Sequence, residues 1–205
     1  MKARYTVVGT NLGWVAVGGS EMGLSFLTLP QPSFETALAG IECFVKGAVE
    51  EGSVFGDLPF RLQRYFDGGK VTFPDKLDLE GATDFQRVVW NATRSIPYGE
   101  VRSYAWVAKR VGRPRACRAV GGALALNRFP IIVPCHRVVA GDGSLGGFGG
   151  GLGLKKYLLD MEAGRVKESS SQFLLQSSPA RRPGQPGVGK VRCSSQQANR
   201  AVRAS

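Results

Sequence analysis

The chain has 205 residues, 43% of them hydrophobic, which suits one domain of about 165 residues with a tail or two small lobes. It has no apolar run of about 18 residues and no apolar N-terminal region, so we expect neither a membrane span nor a secretory signal. The four cysteines (Cys43, Cys117, Cys135 and Cys193) are widely scattered, and there is one histidine. This pattern argues against a disulfide scaffold or a zinc site, and it favours a reducing, cytoplasmic location. We expect no metal and no cofactor.

The net charge of +11 is unevenly distributed along the chain. Residues 1–78 hold 7 basic and 9 acidic side chains, residues 79–165 hold 13 and 6, and residues 166–205 hold 7 and 1. A positive middle segment favours a polyanionic partner such as DNA or RNA, bound through its phosphates. A basic surface with no specific partner is the alternative.

The first part of the chain predicts a small antiparallel sheet followed by helices. Strand-like segments cover residues 4–8, 13–17 and 23–27, with glycine-containing turns between them. Ser33 is a predicted N-cap for a helix that carries apolar residues at helical spacing as far as Ala48. A second helix is predicted over residues 58–66. We interpret residues 1–78 as a structural lobe without catalytic residues, joined to the rest by the extended segment 73–78.

The second part predicts a helix-turn-helix. Thr83 begins one helix, and Ser103 begins another that carries Tyr104. Gly112-Arg113-Pro114 breaks that helix, and a new one is predicted over residues 115–126. Gly121 and Gly122 each cost this helix roughly 1 kcal/mol relative to alanine, so a close approach should compensate. Either a neighbouring helix or a nucleic-acid groove would provide it, and the nearby arginines favour the groove.

A cysteine and the single histidine are adjacent at positions 135 and 136. The β-branched run at residues 131–133 predicts a buried strand, which Pro134 interrupts and residues 138–140 continue. A free thiol has a pKa of about 8.5, so a neighbouring base would raise its thiolate fraction. The pair therefore predicts an activated nucleophile. A buried structural cysteine beside a satisfied histidine is the alternative.

The rest of the chain predicts a glycine-rich loop, a helix and a tail. Eleven residues from 141 to 151 include seven glycines, which suits a loop whose backbone lines a pocket. A final helix carries Leu154, Lys155, Leu158 and Glu162. Residues 166–205 lack hydrophobic periodicity, and we predict a disordered basic tail.

Five segments occur in an order that resembles the O6-alkylguanine-DNA alkyltransferases (methylated-DNA–protein-cysteine methyltransferases). They are residues 96–104 (IPYGEVRSY), 118–123 (RAVGGA), Asn127, 134–138 (PCHRV) and 158–162 (LLDME). The resemblance is strong over residues 80–165 and does not reach the tail. It implies an α/β (α+β) fold, with an N-terminal lobe of antiparallel sheet and helix at 1–78. The domain at 79–165 would be mainly helical, with a winged-helix-like helix-turn-helix and a short strand that carries the cysteine.

The resemblance also implies a function and a role for each matched residue. The family flips a damaged guanine out of the duplex and moves its O6-alkyl group irreversibly to the motif cysteine, here Cys135. A relay of Glu162, His136 and a water would deprotonate the thiol. Tyr104 would assist flipping and donate to the leaving guanine, and Arg118 would replace the flipped base.

The remaining matched residues would brace the site, line the pocket or contact DNA. Asn127 would brace the helix-turn-helix against the cysteine segment, and Lys155 would be a pocket lysine. The predicted DNA surface comprises Arg115, Ala116, Arg118, Ala119, Gly121, Gly122 and Ala123, together with Tyr104. The predicted base pocket comprises Pro130, Val138, Phe148, Gly149 and Gly150. The implied partner is double-stranded DNA that contains alkylated guanine, with O4-alkylthymine as a second candidate substrate. The protein is expected to act as a monomer and not to bind a membrane.

Three positions depart from the family pattern. Arg128 follows the asparagine where proline is common, Phe148 replaces a tyrosine, and Gly149 replaces a serine that hydrogen-bonds the base in some members. Two other functions stay open. One is a non-catalytic sensor of alkylated DNA or a winged-helix regulator, although such sensors replace the cysteine. The other is a cysteine hydrolase, which is disfavoured because adjacent side chains on a strand point to opposite faces.

Overall fold

The computed structural model describes residues 2–42 and 47–166. The predicted tail therefore lies outside the described residues, except for Val166, which packs against the apolar core. Cys43 and Val45 of the first predicted helix, and Cys193 of the tail, also lie outside them. Within the described ranges, no helix is long and apolar enough to cross a membrane.

A four-stranded sheet opens the fold. Its strands are β1 (Arg4–Thr10), β2 (Gly13–Ser20), β3 (Gly23–Leu27) and β4 (Val49–Glu50). They are arranged in the order β3-β2-β1-β4, with β1, β2 and β3 antiparallel and β4 parallel to β1. The three predicted strands are confirmed. The two-residue β4 is too short for a periodic signal and was not predicted.

Helices and a 3-10 turn complete the described part of the first half, residues 2–42 and 47–78. Helix α1 (Phe34–Ala39) begins at the predicted cap, where the Ser33 side chain accepts a hydrogen bond from the amide of Thr36. It ends at Gly40, so the prediction that this helix runs to Ala48 is wrong; Gly40 lacks helix-forming propensity, and Ala48 leads into β4. The 3-10 turn is Gly52–Phe55, and α2 (Leu58–Phe66) has the predicted bounds.

Four helices and a two-stranded sheet form the second half. Helix α3 is Asp84–Arg94, α4 is Tyr104–Arg110, α5 is Cys117–Ala125 and α6 is Gly151–Glu162. Strand β5 (Arg102–Ser103) pairs in parallel with β6 (Val138–Val139). The caps Thr83 and Ser103 are confirmed by their side-chain hydrogen bonds. Helix α5 starts two residues later than predicted, so Arg115 and Ala116 precede it.

The predicted strand before the cysteine is wrong. Residues 131–133 form a turn in which Ile131 has a positive φ of 73°, a rare conformation for a β-branched residue. The amide of Val133 donates to the carbonyl of Phe129 at 2.8 Å, which closes the turn locally and leaves no strand partner. Residues Cys135–Arg137 form a 3-10 turn, and a strand begins only at Val138.

The main apolar core joins both halves of the chain. Val8 and Leu62 belong to the same buried cluster as Trp90, Val138 and Leu158. A smaller cluster between the sheet and α1 contains Tyr5, Ala16, Phe26, Ala37 and Ile41. The mixed α/β class is as predicted, whereas the lobe boundary near residue 78 and the winged-helix detail stay predictions.

Candidate active site

Asn127 fixes the position of the cysteine. Its Nδ2 atom donates to Cys135 Sγ at 3.3 Å and to the carbonyl of Val133 at 2.9 Å, while its Oδ1 accepts from the amide of Phe129 at 2.9 Å. One side chain thus ties together the turn at 129–133 and the thiol. Cys135 itself is half-buried at the start of the 3-10 turn.

The thiol is protonated at rest. Burial raises the pKa of Cys135, and the hydrogen bond from Asn127 and the positive charge of Lys155 oppose this shift without cancelling it. Lys155 is fully buried; its Nζ donates to the carbonyls of Val138 at 2.6 Å and Leu145 at 2.5 Å. Burial lowers the pKa of Lys155 to about 8, so it is charged at neutral pH. A base is still required to remove the thiol proton.

His136 and Glu162 form a buried pair. Nε2 of His136 lies 2.8 Å from Oε1 of Glu162, and the two side chains are 0% and 1% exposed. Burial lowers the pKa of His136, so the imidazole is neutral. Burial alone would raise the pKa of Glu162, but hydrogen bonds from His136 and Arg137 outweigh it and hold this pKa well below its usual range.

The tautomer of His136 follows from this pairing. An ionised carboxylate only accepts hydrogen bonds, so Nε2 must carry the proton and Nδ1 must be the unprotonated nitrogen. Nδ1 is buried and has no hydrogen-bond partner among the described residues. His136 is therefore arranged as a base with its acceptor nitrogen free.

Three further residues hold Glu162, and none of them is among the site residues predicted from the sequence. Arg137 donates from Nε to Oε2 at 2.8 Å and from Nη2 to Oε1 at 2.9 Å. The amide of Gly99 donates to Oε2 at 3.1 Å, and the hydroxyl of Tyr65 donates to Oε1 at 2.6 Å. Arg137 and Gly99 lie inside quoted motifs, which was an available signal.

Tyr65 comes from residues 1–78, which the sequence predicts to be a structural lobe without catalytic residues, and its hydroxyl contacts Glu162. It lies on α2, a helix whose apolar spacing signals packing, and it is fully buried. A buried tyrosine in a helix is usually a core residue, so nothing local marks this hydroxyl as part of the site.

Tyr104 lies near the thiol and contacts the glycine-rich loop. Ser103 caps α4 and so places Tyr104 at its first turn, with the hydroxyl 3.5 Å from the carbonyl of Gly147. Burial and the proximity of Cys135 raise the pKa of Tyr104, which keeps its hydroxyl protonated. Gly146 has a positive φ of 65°, which favours glycine, and a Cβ atom there would lie in tight contact, 3.1 Å from that hydroxyl.

The predicted pocket residues differ in burial. The ring of Phe148 is perpendicular to that of His136, with centroids 6.4 Å apart. Pro130 and Val138 are buried, and Gly149 and Gly150 are exposed. A Cβ on Gly150 would lie 2.6 Å from Leu154 and 2.9 Å from Leu29, so the end of this loop packs tightly.

The helix-turn-helix exposes most of the predicted DNA surface. Arg115, Arg118, Ala119 and Gly122 are exposed, and Ala116 and Gly121 are half-buried. Ala123 does not belong to this surface: its side chain is 4% exposed in the core, and its carbonyl accepts from Nε1 of Trp90 at 2.9 Å. A Cβ on Gly122 would meet no atom of the described chain within 4 Å, so packing does not require this glycine.

Arg128, one of the three departures, links the two halves of the chain. Its Nη2 donates to the carbonyls of Glu80 at 2.9 Å and Asp78 at 3.2 Å. Its own carbonyl accepts from the amide of Leu27 at 2.8 Å.

Across residues 2–42 and 47–166, no group of three or more His, Cys, Asp or Glu side chains is arranged to hold a metal ion.

Comparisons with known proteins show which family this chain resembles. Residues 84–164 match the family model for the DNA-binding domain of 6-O-methylguanine DNA methyltransferase. A methylated-DNA–protein-cysteine methyltransferase of Mycobacterium bovis is 48% identical over 82% of this chain and 98% of its own length. One from Methanosarcina acetivorans is 40% identical over 77% of this chain and 97% of its own length.

Solved structures give the same result. The crystal structure of Mycobacterium tuberculosis OGT in complex with DNA matches with a TM-score of 0.69 and 37% identity, over 83% of this chain and 99% of that one. The O6-methylguanine-DNA methyltransferase of Pyrococcus kodakaraensis matches with a TM-score of 0.58 and 26% identity, over 78% and 98%. The chain thus belongs to the methylated-DNA–protein-cysteine methyltransferase family.

Proposed function

We propose that this protein repairs DNA by moving the alkyl group of O6-alkylguanine in a duplex onto Sγ of Cys135. The observation that carries the proposal is the arrangement around the thiol. Asn127 holds Sγ of Cys135, and the residue after Cys135 is a neutral histidine whose Nε2 is fixed by a buried carboxylate. Family membership, and a relative crystallised in complex with DNA, support the same conclusion.

The reaction proceeds by proton removal and displacement. Nδ1 of His136 takes the thiol proton through a bridging water, and Glu162 stabilises the resulting imidazolium. The thiolate attacks the alkyl carbon, the carbon–O6 bond breaks, and its electron pair remains on the guanine. The Tyr104 hydroxyl donates a hydrogen bond to the guanine as negative charge develops there. The proton removed from sulfur balances the negative charge left on the guanine.

The reaction is stoichiometric because its product is a thioether. A carbon–sulfur bond in S-alkylcysteine has no leaving group comparable to guanine, so Cys135 is not regenerated. Each molecule repairs one base. A reactive thiol also requires a reducing compartment that contains DNA, so we propose that the protein acts in the cytoplasm.

The helix-turn-helix provides the DNA surface. Arg115 and Arg118 are exposed beside the slim face formed by Ala119 and Gly122. Gly122 has free space around its missing side chain, which supports a close approach of this face to DNA. We propose that α5 enters the minor groove, that Arg118 fills the space of the flipped base, and that sequence-independent backbone contacts dominate.

The flipped base would be enclosed by the loop at 145–150 and the buried residues beneath it. Phe148 supplies an apolar ring next to His136, while Pro130 and Val138 form part of the buried floor. Lys155 anchors the loop through the carbonyl of Leu145. Since Gly149 offers no side chain, we expect base recognition there to use backbone groups.

Mass spectrometry tests this function directly. We expect the protein to gain the mass of one methyl group, on the peptide that contains Cys135, after incubation with duplex DNA carrying O6-methylguanine. Cys135→Ala should remain unmodified, whereas the matched control Cys117→Ala, which removes a different free thiol, should still gain the methyl group on Cys135. An unmodified protein that still binds the damaged duplex would instead support the sensor function.

A further inference from the structure

We propose that Tyr65 is a positioning residue for the alkyl-transfer site: its hydroxyl, carried by α2 from the first half of the chain, holds the Glu162 carboxylate in place against His136. This inference rests on the proposed function and adds a residue to it. The hydroxyl of Tyr65 donates to Oε1 of Glu162 at 2.6 Å and lies 3.2 Å from Nε2 of His136.

The Tyr65 hydroxyl donates to Oε1 of Glu162 and keeps its own proton. Burial, followed by the negative charge of Glu162, raises the pKa of Tyr65 well above its usual value, so the proton stays on oxygen. Nε2 of His136 already directs its proton at the same carboxylate oxygen, which is 2.8 Å away, whereas the Tyr65 oxygen is 3.2 Å away. The tyrosine and the histidine are therefore parallel donors to Oε1.

The tyrosine is itself held rigidly. Its side chain is fully buried, and its ring makes edge-on contacts with those of Phe66, Phe73 and Tyr98 at centroid distances of 5.2, 5.9 and 6.2 Å. A donor whose side chain is locked by packing on three sides can hold its acceptor in place. Helix α2 thereby determines where the carboxylate lies.

The hydroxyl also adjusts the basicity of the pair. A carboxylate that accepts an additional hydrogen bond holds a proton less strongly and attracts an imidazolium less strongly. Without the Tyr65 hydroxyl, Glu162 should favour the charged form of His136 more, and the pKa of His136 should rise. A histidine that is already protonated cannot accept the thiol proton. As the pH is lowered, the variant without this hydroxyl should therefore lose activity at a higher pH than the unsubstituted protein.

The charged and titratable groups around the pair come from several elements. Tyr65 faces it from α2, Tyr98 from the turn after α3, Arg137 and Cys135 from the 3-10 turn, and Lys155 from α6. After burial, which is the largest cause, the positive charges of Arg137 and Lys155 also lower the pKa of His136. The predicted shift of the acid limb reports on Tyr65.

The experiment compares Tyr65→Phe with the matched control Tyr98→Phe. Both variants lose one hydroxyl and keep the ring, but the Tyr98 hydroxyl donates to the carbonyl of Gly68 and not to Glu162. For Tyr65→Phe we expect the rate of methyl transfer at neutral pH to fall about tenfold, the effect of one hydrogen bond to a charged group. We also expect the acid limb of its pH–rate profile to move to higher pH, with DNA affinity unchanged. The control should keep the rate and profile of the parent.

The outcomes distinguish a failure of the proposed function from a failure of the inference about Tyr65. If the unsubstituted protein is not methylated, the proposed function itself is wrong. If the unsubstituted protein reacts and Tyr65→Phe matches Tyr98→Phe in both rate and pH profile, the inference about Tyr65 is overturned while the function stands.

A second measurement uses the unsubstituted protein, in case Tyr65→Phe folds poorly. In proton NMR the Tyr65 hydroxyl should give a slowly exchanging downfield signal with cross-peaks to the ring of His136, which is unambiguous because the chain has one histidine. A hydroxyl proton that exchanges freely, without these cross-peaks, would overturn the inference.

Discussion

Replacing Glu162 by glutamine removes a buried negative charge while keeping nearly the same side-chain shape. The glutamine can still accept with its one carbonyl oxygen, but its NH₂ group faces donors that now have no acceptor. Arg137, which is 7% exposed, loses its bidentate partner and remains buried as an uncompensated cation. Tyr65 and Gly99 share the remaining oxygen or lose their acceptor.

The expected cost is large. Removing one partner of a buried ion pair typically costs about 3–5 kcal/mol, because the other charge is left unpaired. A domain of this size has roughly 5–15 kcal/mol of total stability, so Glu162→Gln should lose a substantial part of it. The effect should also depend on pH in a defined direction. The contribution of Glu162 is fully present above its unfolded-state pKa of about 4.3 and is lost as the pH falls towards its much lower folded-state pKa.

Urea unfolding at neutral and acidic pH measures both effects. The control is Asp160→Asn, on the same helix, whose partners Lys156 and Arg165 are 70% and 65% exposed. Surface pairs of this kind contribute about 0–1 kcal/mol, so the control should unfold almost as the parent does. We expect the gap between Glu162→Gln and the parent to narrow in acid. A Glu162→Gln variant no less stable than Asp160→Asn at neutral pH would refute the argument.

Three further predictions concern the thiol, the DNA surface and the loop. Asn127→Ala should raise the pKa of Cys135 by removing a hydrogen bond to sulfur, and its reaction with iodoacetamide at neutral pH should slow about tenfold. Gly122→Leu should stabilise α5 by up to about 1 kcal/mol in urea unfolding, yet weaken duplex binding at least about tenfold in fluorescence anisotropy. The alkyl-transfer rate should decline as the pH rises past the Lys155 pKa of about 8, because the ammonium that favours the thiolate is then lost. Lys155→Met should transfer the alkyl group slowly at every pH and should lack this decline.

Each of these predictions has an opposing result. Unchanged iodoacetamide reactivity in Asn127→Ala would show that the amide does not tune the thiol. Full DNA affinity in Gly122→Leu would show that this face of α5 does not approach DNA. A transfer rate in Lys155→Met equal to that of the parent would remove Lys155 from the site.

Much of the fold follows from local signals in the sequence. Helix α2 and the caps Ser33, Thr83 and Ser103 were predictable because capping and helical periodicity are encoded within a few residues. The cysteine segment was not, because its β-branched run is typical of a strand. There the Asn127 side chain and the local hydrogen bond from Val133 to Phe129 override strand propensity and even stabilise a positive φ at Ile131.

The site was predictable where the motifs carry it and not where distant packing completes it. The order of the motifs pointed to Cys135, His136 and Glu162, and the structure brings the last two into contact. Tyr65 is 97 residues from Glu162 in the chain, and a single sequence holds no record of that contact. Ala123 shows the opposite error, because helical spacing alone did not reveal which face of α5 packs against Trp90.

The protonation state of His136 tests the central claim most directly. With ¹⁵N-labelled histidine, the one imidazole in the chain can be observed in isolation, before any DNA is added. The account predicts a neutral ring at neutral pH with its proton on Nε2 and an unprotonated Nδ1 available to the thiol. A ring protonated on Nδ1, or an imidazolium at neutral pH, would contradict it.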